Sequence, residues 1–515
     1  MPNRSADALF QLIKSMEKSE KRNFKLYTRR NSGTEELKTI TLFDALDKMP
    51  LYDEQIIFKK AKGIKKQQLS NLKAGLYKQI LGSLRLIKDE ENIDLRLHEQ
   101  MDYARILYNK GLYMQSLKIL DKLKETSKEF QQLTYLQQAL FFEKKIEGLF
   151  ITRSMQDRAE KLSQESNIVS SQIFMVNQLS NLSLQLYSWY IQNGHARNQQ
   201  DIDSVRSFFE NNLPPGAIVA NGFYEKLYLY QSYVWYAFIC QDFLHYYRYS
   251  QKWVDLFSQK EAMKKVEPAT FIKGIHNLMS AEFNLIRPDK LSETIKIFEK
   301  FTKLKFVREN ENTRILAFQY LYTARLNLCF LEGNFTSGLR MVPHLETLLK
   351  EYSLYLDKHR ILVFYYKIAC LYFGSGDNAR AIDPLNLIIN QKGNLRTDLQ
   401  CYARLLHLIA HYELGNFEIL EHLIKSVYRF MAKMQSLSKV EENIFTFLRR
   451  SFKIGAYALK PEFENLLKQL KNYQGNVLES RAFVYLDVIS WLESKINGVS
   501  LEDVVRVKYA EKNRR

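Results

Sequence analysis

The sequence has few of the residues that break regular secondary structure. Its 515 residues include 19 glycines and 9 prolines, less than half of the roughly 12% that these two residues usually supply together. A fold built from many short strands needs frequent turns rich in glycine or proline, so this shortage argues against a β-sandwich or a β-barrel. Because long helices with short connections need few such turns, the composition predicts an all-α fold.

Cysteine is also scarce, and no two cysteines form a CxxC pair. The four are Cys240, Cys329, Cys370 and Cys401, each inside an apolar helical run. This spacing matches neither a zinc site nor a redox motif, and it indicates reduced thiols packed within helices. We therefore expect a reducing compartment, no metal and no cofactor.

Long apolar segments are missing from the sequence. The first residues, MPNRSADALFQLIKSMEKSEKR, contain no apolar region of the kind found in secretory signals. No uncharged apolar run reaches the roughly 18 residues that a membrane-spanning helix needs. The sequence therefore predicts a cytoplasmic protein with no membrane partner.

Motifs of the common enzyme classes are absent as well. We find no G-x-S-x-G elbow, no P-loop, no GxGxxG after a strand and no paired carboxylates in a recognisable setting. His407 and His411 are four residues apart, a spacing that metals can use, but no HExxH and no third ligand accompany them. We interpret both as packing residues, and we expect a non-enzymatic protein without catalytic, cofactor-binding or metal-binding residues.

Positive charge is concentrated at the two ends of the chain, whose formal net charge is +18. Residues 1–90 carry 19 Lys and Arg against 11 Asp and Glu, and residues 301–515 carry 31 against 22. Residues 91–300 are nearly neutral, with 25 against 24. Basic ends are typical of proteins with an acidic partner, although a solvated surface has the same composition.

Four segments of the chain align without a gap on one glycine. The glycines are Gly111, Gly333, Gly376 and Gly415. Nine and twelve residues later all four segments have apolar residues, and five residues later three of them have a small one. These residues are Ser116, Gly338, Ala381 and Leu420 at five, Leu120, Val342, Leu385 and Ile424 at nine, and Leu123, Leu345, Ile388 and Val427 at twelve. The spacing keeps one helical face apolar and predicts a helical hairpin with its turn at the glycine.

Weaker copies of this pattern put Gln241 and Asp289 at the turn. Less distinct turns fall near Arg153, Gly194, Ala458 and Gly498. Successive turns are then about 39–48 residues apart, which is typical of a stacked helical solenoid. The glycine-rich stretch GSGDNARAID (374–383) is then a turn. It is not a phosphate-binding loop, because aspartate and asparagine follow its last glycine where a P-loop has lysine and serine or threonine.

The pattern resembles the tetratricopeptide repeat (TPR) family. The turn glycine is followed by an aromatic residue in Tyr113, Phe335 and Phe417, and the small and apolar positions match as well. The period is longer than the 34 residues of that family, and its closing proline is missing. The resemblance implies an α-solenoid of about ten hairpins over residues 96–510, followed by a basic tail, 511–515.

The first 95 residues do not follow the repeat and predict a small basic helical segment. We expect helices at 6–16, 19–30, 40–48, 52–62 and 67–89, with Ser19 as an N-cap. Four basic residues spaced three or four apart would share one helical face: Lys18, Arg22, Lys25 and Arg29. A second basic cluster follows in KKAKGIKK (59–66). Such stripes are either solvated faces or contacts for nucleic acid, the ribosome or an acidic protein.

Residues 227–257 contain seven tyrosines, three phenylalanines and two tryptophans. Core packing between bulky helices explains this density, and an aromatic groove for a peptide explains it as well. In the second interpretation the candidate contact residues are Tyr228, Tyr230, Tyr233, Trp235, Tyr236, Arg248 and Lys252.

The expected function is that of an interaction scaffold or adaptor. It would bind a peptide or helix of a partner protein in a groove formed by the first helix of each hairpin. An alternative is a protein that binds nucleic acid or the ribosome through the basic N-terminal segment. A third is a regulator in which a small ligand changes the pitch of the solenoid.

Overall fold

The structure is a computed structural model. It describes residues 7–30, 35–61, 63–88, 92–149, 157–196, 198–353, 355–391, 397–433, 439–451, 454, 459–473, 483 and 486–513. Over these ranges the chain forms α-helices, one short 3-10 helix and no strand. The all-α prediction is confirmed. Among the helices described, none combines the length and the apolar character needed to cross a membrane.

The chain divides into two compact units, residues 1–171 and 172–515, with the boundary inside one long helix. The helices are numbered here in chain order. The first unit contains α1 (Ala8–Ser15), α2 (Lys18–Arg30), α3 (Glu35–Asp47), α4 (Glu54–Lys60), α5 (Lys66–Lys88), α6 (Ile93–Asn109), α7 (Tyr113–Glu129), α8 (Leu133–Glu147) and the start of α9 (Arg158–Asn193).

The second unit contains the rest of α9 and all later helices. These are α10 (Gln199–Asn212), α11 (Phe223–Ile239), α12 (Phe243–Gln259), α13 (Met263–Val266), α14 (Pro268–Asn284), α15 (Pro288–Thr302), α16 (Lys305–Arg308), α17 (Glu311–Glu332), α18 (Phe335–Gly338), α19 (Val342–Glu351), α20 (Lys358–Gly374), α21 (Asn378–Ile389), α22 (Thr397–Glu413), α23 (Phe417–Lys433), α24 (Lys439–Ser451), α25 (Leu459–Lys471), α26 (Val488–Asn497) and α27 (Leu501–Asn513). The 3-10 helix, Leu339–Met341, joins α18 to α19.

Helices α1 to α5 share an apolar core, with Phe24 packed against Phe43 at 4.8 Å between ring centroids. Their bounds lie close to the predicted ones, except that α3 begins at Glu35. The Ser19 prediction is wrong, because α2 already begins at Lys18 and Ser19 lies in its first turn. The Glu20 carboxylate accepts a hydrogen bond from the Glu17 N–H at 2.9 Å. This bond satisfies an amide at the start of the helix, so a serine cap is not required.

Helices that are adjacent in sequence pack as hairpins. Helix α6 contacts α7, α11 contacts α12, α14 contacts α15, α20 contacts α21 and α22 contacts α23. Consecutive hairpins also contact each other, as α12 does with α14 and α21 with α22. The apolar faces predicted from the repeat are buried in these contacts, including both the ninth and the twelfth position after each of the four turn glycines.

The hairpin turns at Gly111, Gln241, Gly376 and Gly415 share one hydrogen-bonded cap. At Gly376 φ is +87°, its N–H donates to the carbonyl of Phe373, and the Asp377 N–H donates to the carbonyl of Tyr372. This is the Schellman arrangement, in which a residue with positive φ ends a helix. The other predicted turn glycines also have positive φ, and so does Gln241, at +58°. The stretch GSGDNARAID is therefore a helix C-terminus followed by the start of the next helix.

The prediction that Asp289 lies at a turn is wrong by three residues. The residue with positive φ is Ile286, at +53°, and α15 begins at Pro288. Counted from Ile286, positions nine and twelve are Ile295 and Phe298, and both are buried. The sequence hid this turn because a β-branched residue is unusual in the left-handed conformation.

Two of the less distinct turns are present, and two cannot be described. Gly194 and Gly498 have φ of +76° and +65°, and Gly498 caps α26. The turns expected near Arg153 and Ala458 lie outside the described residues.

The last helix of the second unit packs far back along the chain. The Lys512 ammonium donates to the carbonyl of Ile286 at 2.7 Å, and the Thr336 hydroxyl donates to the Glu502 carboxylate. Val505 belongs to the apolar cluster that contains Leu326 of α17. Residues 511–513 of the predicted tail form the end of α27. Helix α27 thus joins the ends of the α14 and α17 helices, in addition to its contact with α26.

Candidate functional site

The residues predicted from the aromatic segment do not form one surface. Tyr233 stacks on Tyr249 of α12 with 4.1 Å between ring centroids and an interplanar angle of 4°. The Lys252 ammonium lies 4.9 Å from the Tyr249 ring and 5.8 Å from the Tyr230 ring. These contacts connect the two helices of one hairpin, so they serve its packing.

Three further residues of the prediction are placed elsewhere. Tyr236 stacks on Phe209 of α10 at 4.6 Å, and Tyr228 packs near Leu179 of α9. Arg248 is exposed on α12. Core packing therefore accounts for most of this aromatic segment.

Trp235 has different neighbours. Its ring lies 4.9 Å from that of Tyr187 on α9, and the Lys273 ammonium of α14 lies 5.7 Å from the Trp235 ring and 5.5 Å from the Tyr187 ring. All three side chains are partly exposed. Both rings attract the ammonium through their negative faces. Trp235 is thus the one predicted aromatic residue that leads to a group of cations.

The group continues across α17 to α20. His276 of α14 stacks on Tyr320 of α17 with 3.9 Å between ring centroids, and Arg360 of α20 donates to the Tyr320 hydroxyl at 3.2 Å. Two helical turns further along, Lys367 of α20 donates to the Asn327 side-chain oxygen and lies 5.4 Å from the Phe330 ring. We call this set the basic–aromatic face: Tyr187, Trp235, Lys273, His276, Tyr320, Asn327, Arg360 and Lys367.

The cations of the basic–aromatic face contact rings and uncharged oxygens. Within the ranges that the structure describes, no aspartate or glutamate forms an ion pair with Lys273, Arg360 or Lys367, whose contacts are with rings and uncharged oxygens. Arg325, also on α17, does pair with a carboxylate, that of Glu299, at 2.6 Å. The absence of a counterion is therefore a feature of this face and not of the helix.

Burial and mutual repulsion act on these groups. Burial lowers the pKa of Lys367 to about 8, and burial together with the nearby Arg360 lowers the pKa of Lys273. Burial, followed by the charges of Arg360, Lys273 and Lys367, lowers the pKa of His276 to about 3. At neutral pH the His276 imidazole is therefore uncharged, and an anion placed among Lys273, Arg360 and Lys367 would relieve the repulsion.

Sequence reasoning missed every member of this face except Trp235, although a signal was present. Lys273 and Tyr320 each lie thirteen residues before the turn residue of their own hairpin, and Trp235 and Asn327 each lie six before theirs. Positions thirteen and six are seven apart, which is about two helical turns, so they share a face. The repeat positions five, nine and twelve follow the turn and lie on the second helix of each hairpin. This stripe precedes the turn and lies on the first helix.

Part of the basic stripe of the N-terminal segment makes contacts within the segment itself. Lys25 forms an ion pair with Asp44 of α3 at 2.6 Å, and its ammonium lies 5.7 Å from the Phe43 ring. Lys18 and Arg22 are exposed. The side chain of Arg29 lies outside the described residues. The stripe that faces solvent is thus shorter than the four residues predicted.

His407 and His411 contact each other. Their Nε2 atoms are 3.2 Å apart, and the Asn416 side-chain nitrogen lies 3.0 Å from His411 Nδ1. Burial, His411 and Arg404 lower the pKa of His407 to about 4, and burial lowers the pKa of His411. In the part of the chain described, no three His, Cys, Asp or Glu side chains come together as potential metal ligands.

The cysteines carry no disulfide. Burial raises the pKa of Cys240 and Cys329 to about 11 and that of Cys370 to about 12, and Cys401 is buried. A thiol is nucleophilic only as the thiolate, so Cys240, Cys329 and Cys370 are unreactive at neutral pH.

Comparison with known proteins adds no identity to this picture. No protein-family model matches the sequence, and no curated protein matches it either. The functional interpretation consequently depends on the chain's own residues, above all on the basic–aromatic face.

Proposed function

We propose that this protein is a non-enzymatic TPR-like scaffold that binds a segment of a partner protein on its basic–aromatic face. The observation that carries the proposal is a set of contacts in which Lys273 lies on Tyr187, Arg360 donates to Tyr320 and Lys367 donates to Asn327. It involves side chains of α9, α14, α17 and α20 that are distant in sequence. A surface assembled from successive first helices is what helical repeat proteins use to bind extended segments or helices.

The proposal includes the arrangement of the helical hairpins as a solenoid. Its support comes from hairpins that pack on their sequence neighbours and from the capped geometry that the turns at Gly111, Gln241, Gly376 and Gly415 share. Because each hairpin leaves an apolar face for the next to cover, such units stack in a row. The proposal includes a cytoplasmic location, which the four free thiols favour, since disulfides are rare in reducing compartments.

A site-specific crosslink tests the proposal. Benzoylphenylalanine placed at Tyr187, on the basic–aromatic face, should capture a defined partner from a lysate of the native cell after nuclease treatment. The matched control places it at Ile297, which is 57% exposed on the second helix α15. Capture of the same proteins from both positions, or from neither, would contradict the proposal.

The alternative function, binding of nucleic acid or the ribosome, has a narrower basis. Lys18 and Arg22 remain exposed, as do Lys59 and Lys60 of the second basic cluster. Binding through these residues must weaken steeply as salt rises, because phosphates release counterions. Charge reversal at Lys18 and Arg22 should then reduce retention on ribosomes or RNA, and unchanged retention would remove this alternative.

A further inference from the structure

Three cations of the basic–aromatic face lie together, and none of them forms an ion pair with a carboxylate of the described residues. Lys273 lies against the rings of Tyr187 and Trp235. Arg360 donates a hydrogen bond to Tyr320, and Lys367 donates one to Asn327. A partly buried charge is normally paired, because rings and amides replace only part of its hydration. Their arrangement on neighbouring helices therefore creates a site that is complementary to a negatively charged ligand.

Apolar surface continues from this site along α9. Leu184 and Ile191 are 64% and 59% exposed and stand three before and four after Tyr187. Residues at this spacing share one helical face. Positive charge and exposed apolar side chains are thus adjacent, with Tyr187 belonging to both.

From this complementarity we propose that the ligand is an acidic peptide whose carboxylates lie among Lys273, Arg360 and Lys367 and whose apolar side chains lie on Tyr187, Leu184 and Ile191. The inference rests on the proposed function and specifies the class of ligand for the same face. Arg360 can hold a carboxylate through two parallel hydrogen bonds, and the two lysines act as point charges. His276, which is neutral, provides a hydrogen bond and no charge.

The observations favour a peptide over a nucleic acid. Nucleic acids are bound by long rows of exposed lysine and arginine that follow the phosphates. This face has three cations, all partly buried, and its next neighbours on α9 are aliphatic. A free inorganic anion would in turn make no use of the aliphatic stripe.

Fluorescence anisotropy of the full-length protein provides the test. The probe is a fluorescein-labelled peptide of about twelve residues, built from alternating pairs of leucine and glutamate, and the control peptide has glutamine at every glutamate. We expect the glutamate peptide to bind at least tenfold more tightly than the glutamine peptide. We also expect Lys273→Met, Lys367→Met and Arg360→Gln each to weaken the glutamate peptide at least tenfold.

Matched controls are available on other surfaces. Lys296→Met on α15 and Arg340→Gln on the 3-10 helix change exposed residues of the same types and should leave binding unchanged. Circular dichroism verifies that each variant is folded, and the two lysine variants provide an independent result if Arg360→Gln is not. Equal binding of the two peptides, or equal effects of face and control variants, would overturn the inference.

Competition with two other ligands tests whether the face binds a different class of ligand. Oligouridine that displaces the peptide from the wild type at lower concentration than unlabelled glutamate peptide would overturn the inference in favour of nucleic acid. Inorganic phosphate that does so at constant ionic strength would overturn it in favour of a small anion. The crosslink at Tyr187 is read independently. Capture of a partner that persists in Lys273→Met and Lys367→Met would refute the acidic ligand and leave the scaffold proposal intact.

Discussion

Glu282, at the end of α14, has an environment that suits its protonated form. The side chain is 2% exposed, one carboxylate oxygen accepts from the Thr294 hydroxyl at 2.9 Å, and the other has no hydrogen-bond partner among the described residues. Burial raises its pKa to about 7, although Thr294, Lys290 and Arg287 oppose the rise and Glu293 adds to it. The group therefore titrates near neutral pH.

This shift predicts a pH-dependent stability. The pKa of Glu282 is higher in the folded state than its usual 4.5, so the folded protein binds more protons between these values. The contribution to the free energy of unfolding is complete below pH 4.5 and is lost as pH rises through about 7, by at most about 3 kcal/mol. Glu282→Gln should match the wild type near pH 5 and be more stable at pH 8 by urea denaturation. A difference independent of pH would contradict this.

The backbone conformation of Ile286 indicates that its replacement by glycine should stabilise the protein. Ile286 holds a φ of +53°, which costs a residue with a Cβ about 1–2 kcal/mol relative to glycine. Ile286→Gly should therefore raise the melting temperature, and its carbonyl can still accept from Lys512. The complementary change, Gly376→Ala, should lower the melting temperature, because alanine is strained at a φ of +87°. The space around Gly376 is open, so the effect would come from the backbone conformation and not from a steric clash. Effects of the same sign would refute this account of the turns.

At the scale of elements, small residues set how closely the paired helices approach. A Cβ added to Gly374, at the end of α20, would lie 2.3 Å from the Phe335 ring of α18. A Cβ at Gly338 would lie 3.0 Å from Leu371, and the Ser116 hydroxyl donates to the Ala104 carbonyl at 2.8 Å. The small position five residues after the turn therefore has the packing role that the repeat predicted in the hairpins of Ser116 and Gly338.

Gly374→Ala should destabilise the second unit by about 1–3 kcal/mol, because the ring of Phe335 cannot move without disturbing the hairpin. Gly75→Ala is the control, since Gly75 lies within α5 and has open space around it. That change should stabilise the protein by up to about 1 kcal/mol through helix propensity. Chemical denaturation measures both. Similar effects of the two substitutions would show that propensity, and not packing, dominates at Gly374.

At the scale of the whole molecule, the last hairpin connects distant parts of the second unit. Trp491 of α26 is buried, and its indole N–H donates to the Glu413 carboxylate of α22 at 2.7 Å. Lys495 of α26 donates to the same carboxylate. With the contacts of Lys512 and Glu502 described above, residues 486–513 tie the second unit together over more than two hundred positions of sequence.

Glu413→Ala should cost about 1–3 kcal/mol of stability, because it leaves the Trp491 N–H buried without an acceptor. Glu261→Ala, which removes an exposed ion pair with Lys264, is the control and should cost less than about 1 kcal/mol. Tryptophan fluorescence during denaturation follows both variants. A cost for Glu413→Ala no larger than that of the control would mean that α26 is not anchored by this bond.

The sequence by itself determined the properties that depend on nearby residues. Glycine at a left-handed turn and apolar residues nine and twelve positions later are local requirements of a helical hairpin, so the sequence alone indicates the roles of Gly376, Leu385 and Ile388. The same logic misplaced the turn at Ile286, where the residue type does not reflect the backbone conformation.

Only the tertiary structure decided which polar residues act together. Lys273 and Arg360 are 87 positions apart, and they share a face only because α14, α17 and α20 pack side by side. Packing likewise gave Lys25 its partner Asp44 and brought Lys512 to Ile286. Periodicity records which face of a helix is apolar, whereas the choice of neighbouring helix depends on side-chain fit between distant segments. The basic–aromatic face is a product of that fit.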